Sequence, residues 1–181
     1  LRDCDYYDEF EKEKIVWREI VEYSCFTWDS KNYFGLAKVF IMTGRECSKY
    51  LLAILNSSLG NYAIKKYYAP FLGVKVSEFK KEWVQKLPIP KISESDQKPF
   101  IDLVDKILAA KSKNPDADTS ELETQIDQMV YKLYGLTDEE IKVIEKFKKW
   151  NINLLFVDPK GTEYADGYRK IDGYSRIFEN G

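Results

Sequence analysis

Lys14-Ile15-Val16-Trp17-Arg18-Glu19-Ile20 is rich in β-branched and aromatic side chains and reads as a strand. Ser24-Cys25-Phe26-Thr27-Trp28 follows closely, then a turn at Asp29-Ser30-Lys31-Asn32. Tyr33 to Met42 is nearly continuous apolar sequence with Lys38 as its one charge, and Thr43-Gly44 ends it. The connections are too short for crossover helices, so residues 14–42 predict a small, mostly antiparallel sheet. Because helical sequence follows, the fold class is α+β: a small sheet with short helices, then a helical hairpin and a third helix.

The helical reading begins at Leu51, Leu52 and Leu55 and resumes at Leu59, Tyr62 and Ile64. Ser77 is positioned to cap a short helix holding Phe79, Trp83 and Val84, which Leu87-Pro88-Ile89-Pro90 stops. Phe100, Leu103, Val104, Ile107 and Leu108 then form an i, i+3, i+4 stripe, with Ser95 or Asp96 as the cap. Leu122, Ile126, Met129, Val130 and Leu133 form a second stripe, opened by a Ser120–Glu123 capping box and closed by Gly135. Thr137 and Glu140 make a further capping box for a third helix through Ile141, Ile144 and Phe147. These stripes read as packed core or a helix–helix seam. The expected organisation is 1–92 as one α+β unit, 93–150 as a hairpin spacer or docking region, and 151–181 as a strand-plus-turn appendage.

The 181 residues include 10 Phe, 13 Tyr and 4 Trp, and 44% are hydrophobic, which is enough for a packed core. No apolar run approaches the ~20 residues of a membrane-spanning helix. The chain begins at Leu1 without an initiator Met or a secretory pattern, which reads as a piece of a longer protein. Cys4, Cys25 and Cys47 are widely spaced and form no metal-ligand pair, so a reducing, cytoplasmic setting is expected and no metal site. There is no histidine, which removes Ser-His-Asp and Cys-His catalysis and His-ligated zinc.

The net charge of −2 hides a division. Residues 1–30 carry 4 basic and 9 acidic side chains, residues 31–91 carry 11 basic and 3 acidic, and residues 92–181 carry 13 basic and 18 acidic. The middle segment is therefore +8 between two flanks of −5 each. Such a segment is the footprint of a polyanion-binding surface. The plainer alternative is a solvated surface whose charges the acidic flanks balance in the fold.

Phe10-Glu11-Lys12-Glu13-Lys14-Ile15-Val16-Trp17 resembles the F-x-K-x-K-I-V-W strand of the TaqI-like C-terminal specificity domain. Phe40-Ile41-Met42-Thr43-Gly44, Lys49-Tyr50-Leu51-Leu52-Ala53-Ile54-Leu55-Asn56-Ser57 and the run from Phe79 to Pro90 resemble three further stretches of that family, in order. Lys98-Pro99-Phe100 and Tyr131-Lys132-Leu133-Tyr134-Gly135-Leu136-Thr137 extend the resemblance, which spans residues 10–146 or so.

The resemblance implies sequence-specific binding of double-stranded DNA in a restriction-modification system of type IIG character. The methyltransferase or endonuclease region would lie upstream in the same chain or on a partner chain. No Asn-Pro-Pro-Tyr string or glycine-rich S-adenosylmethionine loop occurs here, so no catalytic residue and no cofactor is assigned. On this reading lysines hold phosphates and loop residues read base edges. The candidates are Lys31, Asn32 and Tyr33 in one loop, Lys75, Lys80 and Lys81 in a second, and Lys65 and Lys66 in the Lys65-Lys66-Tyr67-Tyr68 patch. Asn32 could pair with adenine through its amide. Tyr67, Tyr68, Trp17 and Trp83 are expected in the core.

The competing class is a protein-interaction module in which the hairpin docks on an enzyme region, a partner or a second copy as a dimer. The tail departs from the family. Residues 154–163 resemble a segment of some type III-like restriction helicases, and Asp158 with Lys160 has the spacing of half a PD-(D/E)XK nuclease motif. An exposed turn after a strand is the simpler reading of that pair.

Overall fold

The computed structural model describes residues 7–21, 24–33, 38–68 and 77–150. Strand β1 (Lys14–Arg18) lies at the centre of a three-stranded antiparallel sheet between β3 (Thr27–Asp29) and β4 (Val39–Met42). All five residues of β1 are buried. Trp17 faces its register partner Phe40 with ring centroids 5.4 Å apart and also touches Phe26 at 5.5 Å. Its indole N–H donates to the Phe79 carbonyl at 2.8 Å, so the large ring is buried with its one polar atom satisfied.

The strand expected over 14–20 is broken at Glu19. There the chain leaves the first sheet and continues as β2 (Ile20–Val21), paired antiparallel with β5 (Ser77–Glu78). The Glu19 N–H donates to Lys38 O at 3.0 Å while its carbonyl accepts from Phe79 N at 2.5 Å. One residue thus bonds to a neighbour on each side. Ser77 is consequently a strand residue opposite Val21 rather than a helix cap. Helix α3 (Lys81–Val84) starts later, with Lys80 at its N-cap position and no side-chain bond there.

Helix α1 (Lys49–Asn56) is buried from Tyr50 to Asn56. Its last residue works as a surrogate strand: the Asn56 amide donates to Phe26 O at 2.8 Å and accepts from Phe26 N at 3.0 Å. Ser57 then ends α1 and caps α2 (Ser58–Ala63), accepting from Gly60 N at 3.0 Å. The turn is so tight that a Cβ on Gly60 would lie 2.2 Å from the Ile54 carbonyl oxygen, so only glycine fits. A π-helical turn (Ile64–Tyr68) continues α2.

Helices α4 (Glu94–Lys113) and α5 (Ser120–Tyr134) form the expected hairpin, and α6 (Asp138–Trp150) follows. The caps of the first two fall one to three residues earlier than read. Ser93 caps α4 by accepting from Asp96 N at 3.2 Å, and Thr119 rather than Ser120 precedes α5. The Thr119 hydroxyl donates to Glu123 at 2.7 Å while Ser120 turns its own hydroxyl back to Asp118. Gly135 ends α5 at φ +63°, where a side chain would be strained, and the Thr137–Glu140 box holds as read.

The hairpin shares its core with the sheet and α1. Phe100, Leu103, Val104 and Ile107 of α4, with Ile126 and Val130 of α5, join the same apolar cluster as α1 and β1. The apolar stripes are packed core, as read: α4 packs on α1 and on α5. The proline segment between the two parts is also fastened: the Tyr50 hydroxyl donates to Pro90 O and the Tyr134 hydroxyl to Pro88 O, both at 2.7 Å.

Candidate nucleic-acid interface

The loop after β3 is built on a buried ion pair. Lys14 and Asp29 are register partners across β1 and β3, and the Lys14 ammonium lies 2.6 Å from Asp29 Oδ2 with both side chains fully buried. Lys14 also donates to Phe10 O at 2.6 Å, so its charge is well coordinated. Asp29 accepts in addition from the backbone N–H groups of Lys31 at 2.7 Å and Tyr33 at 3.0 Å. A carboxylate that gathers two amides two and four residues on fixes the turn from beneath. Asn32 sits at its tip with φ +61°, a left-handed conformation that asparagine tolerates better than most side chains. Lys31 and Asn32 are exposed and Tyr33 is half-buried. The loop therefore presents two polar side chains from a backbone set before any ligand arrives.

The second group lies at the other end of β1. Helix α3, which begins at Lys81, packs against the π turn that carries Lys66, and both lysines are exposed. Lys75 lies outside the described residues. Lys65 is 2% exposed and points into the protein, so it departs from the expectation of a surface basic pair. Tyr67 departs in the opposite direction: expected in the core, it is 68% exposed. Trp17 is buried as expected, while Trp83 and Tyr68 are half-buried.

Part of the basic surplus is already offset. Lys38 lies 3.5 Å from Glu19 of the acidic N-terminal flank, and Lys49 lies 2.5 Å from Asp105 of the acidic C-terminal flank. Lys80 lies 3.0 Å from Glu78, and the hydrogen bond to that carboxylate holds its ammonium above the usual lysine range. Balancing by the flanks is thus real for some of the lysines. Lys66 and Lys81 are the exposed candidates for which no offsetting carboxylate is found among the described residues. The two groups do not converge on one spot: the loop lies over the Lys14 end of β1, and Phe79, which leads into Lys80 and Lys81, bonds to Glu19 at the other end.

Residues 3–89 match the family profile of the TaqI-like C-terminal specificity domain. This segment belongs to that family. The match contains all eight residues singled out as DNA contacts, while the hairpin strings of the resemblance lie beyond it. At family level the specificity domain serves target recognition in restriction-modification, a role of DNA binding rather than of catalysis. No curated protein matches the chain. Among the described residues no group of His, Cys, Asp and Glu could hold a metal ion, and no helix is long and apolar enough to cross a membrane. Asp158 and Lys160 lie outside the described residues.

Three features of the fold were not read from sequence. They are the Lys14–Asp29 pair beneath the loop, the π turn that sorts Lys65 inward and Tyr67 outward, and the buried Asp127. The first carried a signal: a lysine in mid-strand and an aspartate heading a turn, both in apolar surroundings, imply a cross-strand pair.

Proposed function

We propose that the chain reads a particular DNA sequence on behalf of a methyltransferase or endonuclease region carried elsewhere, as in a type IIG restriction-modification protein. Lys31 and Asn32 address base edges in the major groove, and Asn32 pairs its amide with adenine. Tyr33 supports the loop from its half-buried position. Lys66, Lys75 and Lys81 hold phosphates and set the register, with Lys80 contributing less because Glu78 already offsets it. The loop and the lysines lie at opposite ends of β1, which suits one group to the bases and the other to the backbone.

One observation carries this reading: the specificity-domain match spans both basic segments, including the loop that Asp29 shapes in advance. A preset loop loses little conformational freedom on binding and so discriminates between bases more sharply than a loose one.

The test is duplex binding as a function of salt. Each phosphate contact contributes about 0.9 to the slope of log affinity against log salt. The double variant Lys66→Ala, Lys81→Ala should lower that slope by roughly 2 without changing the preferred sequence. Asn32→Ala should leave the slope intact and relax the preference at one position. An unchanged slope in the lysine variant would remove this face from the interface.

A further inference from the structure

We propose that Tyr67 is a nucleotide-stacking residue that packs its ring on an unpaired or unstacked base in the DNA, with Lys66 beside it on the adjoining phosphate. This rests on the DNA-recognition reading and extends it from paired bases to a nucleotide whose base face is open.

Among the described residues Tyr67 is the most exposed large hydrophobic side chain. Its ring is not loose. Tyr62 meets it edge-on at 85° with centroids 6.1 Å apart, and Tyr62 in turn meets Phe147 of α6 edge-on at 85° and 5.2 Å. This chain of aromatic contacts from α2 and α6 orders the ring from one side while most of its surface stays open to solvent. An aromatic ring held in this way loses little side-chain freedom when a ligand stacks on it.

The backbone is also unusual there. Residues Ile64–Tyr68 form a π-helical turn, a form rare in proteins and frequent at functional sites. The turn buries Ile64 and Lys65 and leaves Lys66 and Tyr67 outside. It places a cation directly before an exposed ring, next to α3 with Lys81. That combination matches a nucleotide: a phosphate for the ammonium and a flat base for the ring. A paired duplex offers its base edges in the grooves but keeps its base faces stacked, so the ring gains fully only where a base is unstacked.

The experiment compares the 181-residue chain with Tyr67→Ala and Tyr67→Phe on two duplexes of one sequence, one fully paired and one with a single unpaired nucleotide at varied positions. Far-ultraviolet circular dichroism checks that the variants keep the fold. The parent chain should bind one of the bulged duplexes more tightly than the paired one. Tyr67→Ala should weaken that complex by about tenfold and leave the paired complex nearly unchanged, while Tyr67→Phe keeps the parent affinity. Equal affinity of the parent and Tyr67→Ala for every bulged duplex would overturn the proposal and leave the recognition reading standing. Equal weakening on both duplexes would overturn stacking on an open base as well. Failure of the parent chain to bind either duplex would overturn both readings together.

Discussion

Two buried aspartates use the same chemistry for different ends. Asp29 accepts two backbone N–H groups and the Lys14 ammonium, and Asp127 accepts the Ser58 N–H at 2.7 Å, the Ser58 hydroxyl at 2.6 Å and the Lys148 ammonium at 2.7 Å. Each carboxylate is 1% exposed. Asp29 gathers its amides from two and four residues away and so shapes a loop. Asp127 reaches 69 residues back to the start of α2 and so joins α5 to the specificity domain. The partners differ too. Lys14 is fully buried, whereas the Lys148 side chain keeps 32% of its surface in solvent. A buried carboxylate therefore shapes a loop or joins two parts according to the sequence distance of its donors, and its removal is felt according to how deep the lysine sits.

The largest expected effect follows from that depth. Asp29→Ala leaves the Lys14 charge buried without its counter-ion, which costs about 3–5 kcal/mol. Chemical denaturation should report a loss of that size, and Asp29→Asn a smaller one, since its amide oxygen can still accept from one of the two N–H groups. Asp127→Ala strands the Ser58 amide and hydroxyl, but Lys148 can rehydrate, so about 2–3 kcal/mol is expected. A loss as large as that of Asp29→Ala would break the comparison. Lys148→Met leaves the buried Asp127 carboxylate with the two Ser58 hydrogen bonds alone and should cost about 1–3 kcal/mol, less than Asp29→Ala.

The smallest effect concerns the cap of α6. Backbone and side-chain hydrogen bonds from Thr137 hold the Glu140 carboxyl below the usual glutamate range. Its folded value is depressed, so its contribution is present above the unfolded value of about 4.3 and is lost as pH falls through the folded one. Glu140→Gln should therefore lower Tm slightly at pH 7, and the difference from the parent chain should shrink in strongly acidic buffer. A difference that stays constant with pH would show that the carboxylate charge plays no part.

The same contrast explains what could be read in advance. The strands, the helical stripes and the turn at residues 29–32 are local patterns, and each lies close to where its period or turn chemistry put it. The caps at Ser93 and Thr119 slipped because neighbouring Ser, Asp and Thr residues compete for the same role, and only the bond geometry chooses among them. The break at Glu19 depends on which strands arrive on either side, which no run of seven residues specifies. Asp127 could not be found at all: on a helix between Ile126 and Gln128 it reads as one more polar-face residue, and its partner Ser58 lies in another part of the chain. In the candidate interface, residue types and basic surplus were visible. Which lysines keep their charge free was not, because Glu19, Glu78 and Asp105 come from three different elements or their connections.

The central claim, that the loop over Asp29 reads DNA sequence, is tested most directly by selecting duplexes from a randomised pool with the parent chain and with Asn32→Ala. The account predicts one consensus for the parent chain and the same consensus for the variant with a single position relaxed. Salt-sensitive binding with no consensus in the parent chain, or an identical consensus from both proteins, would contradict it.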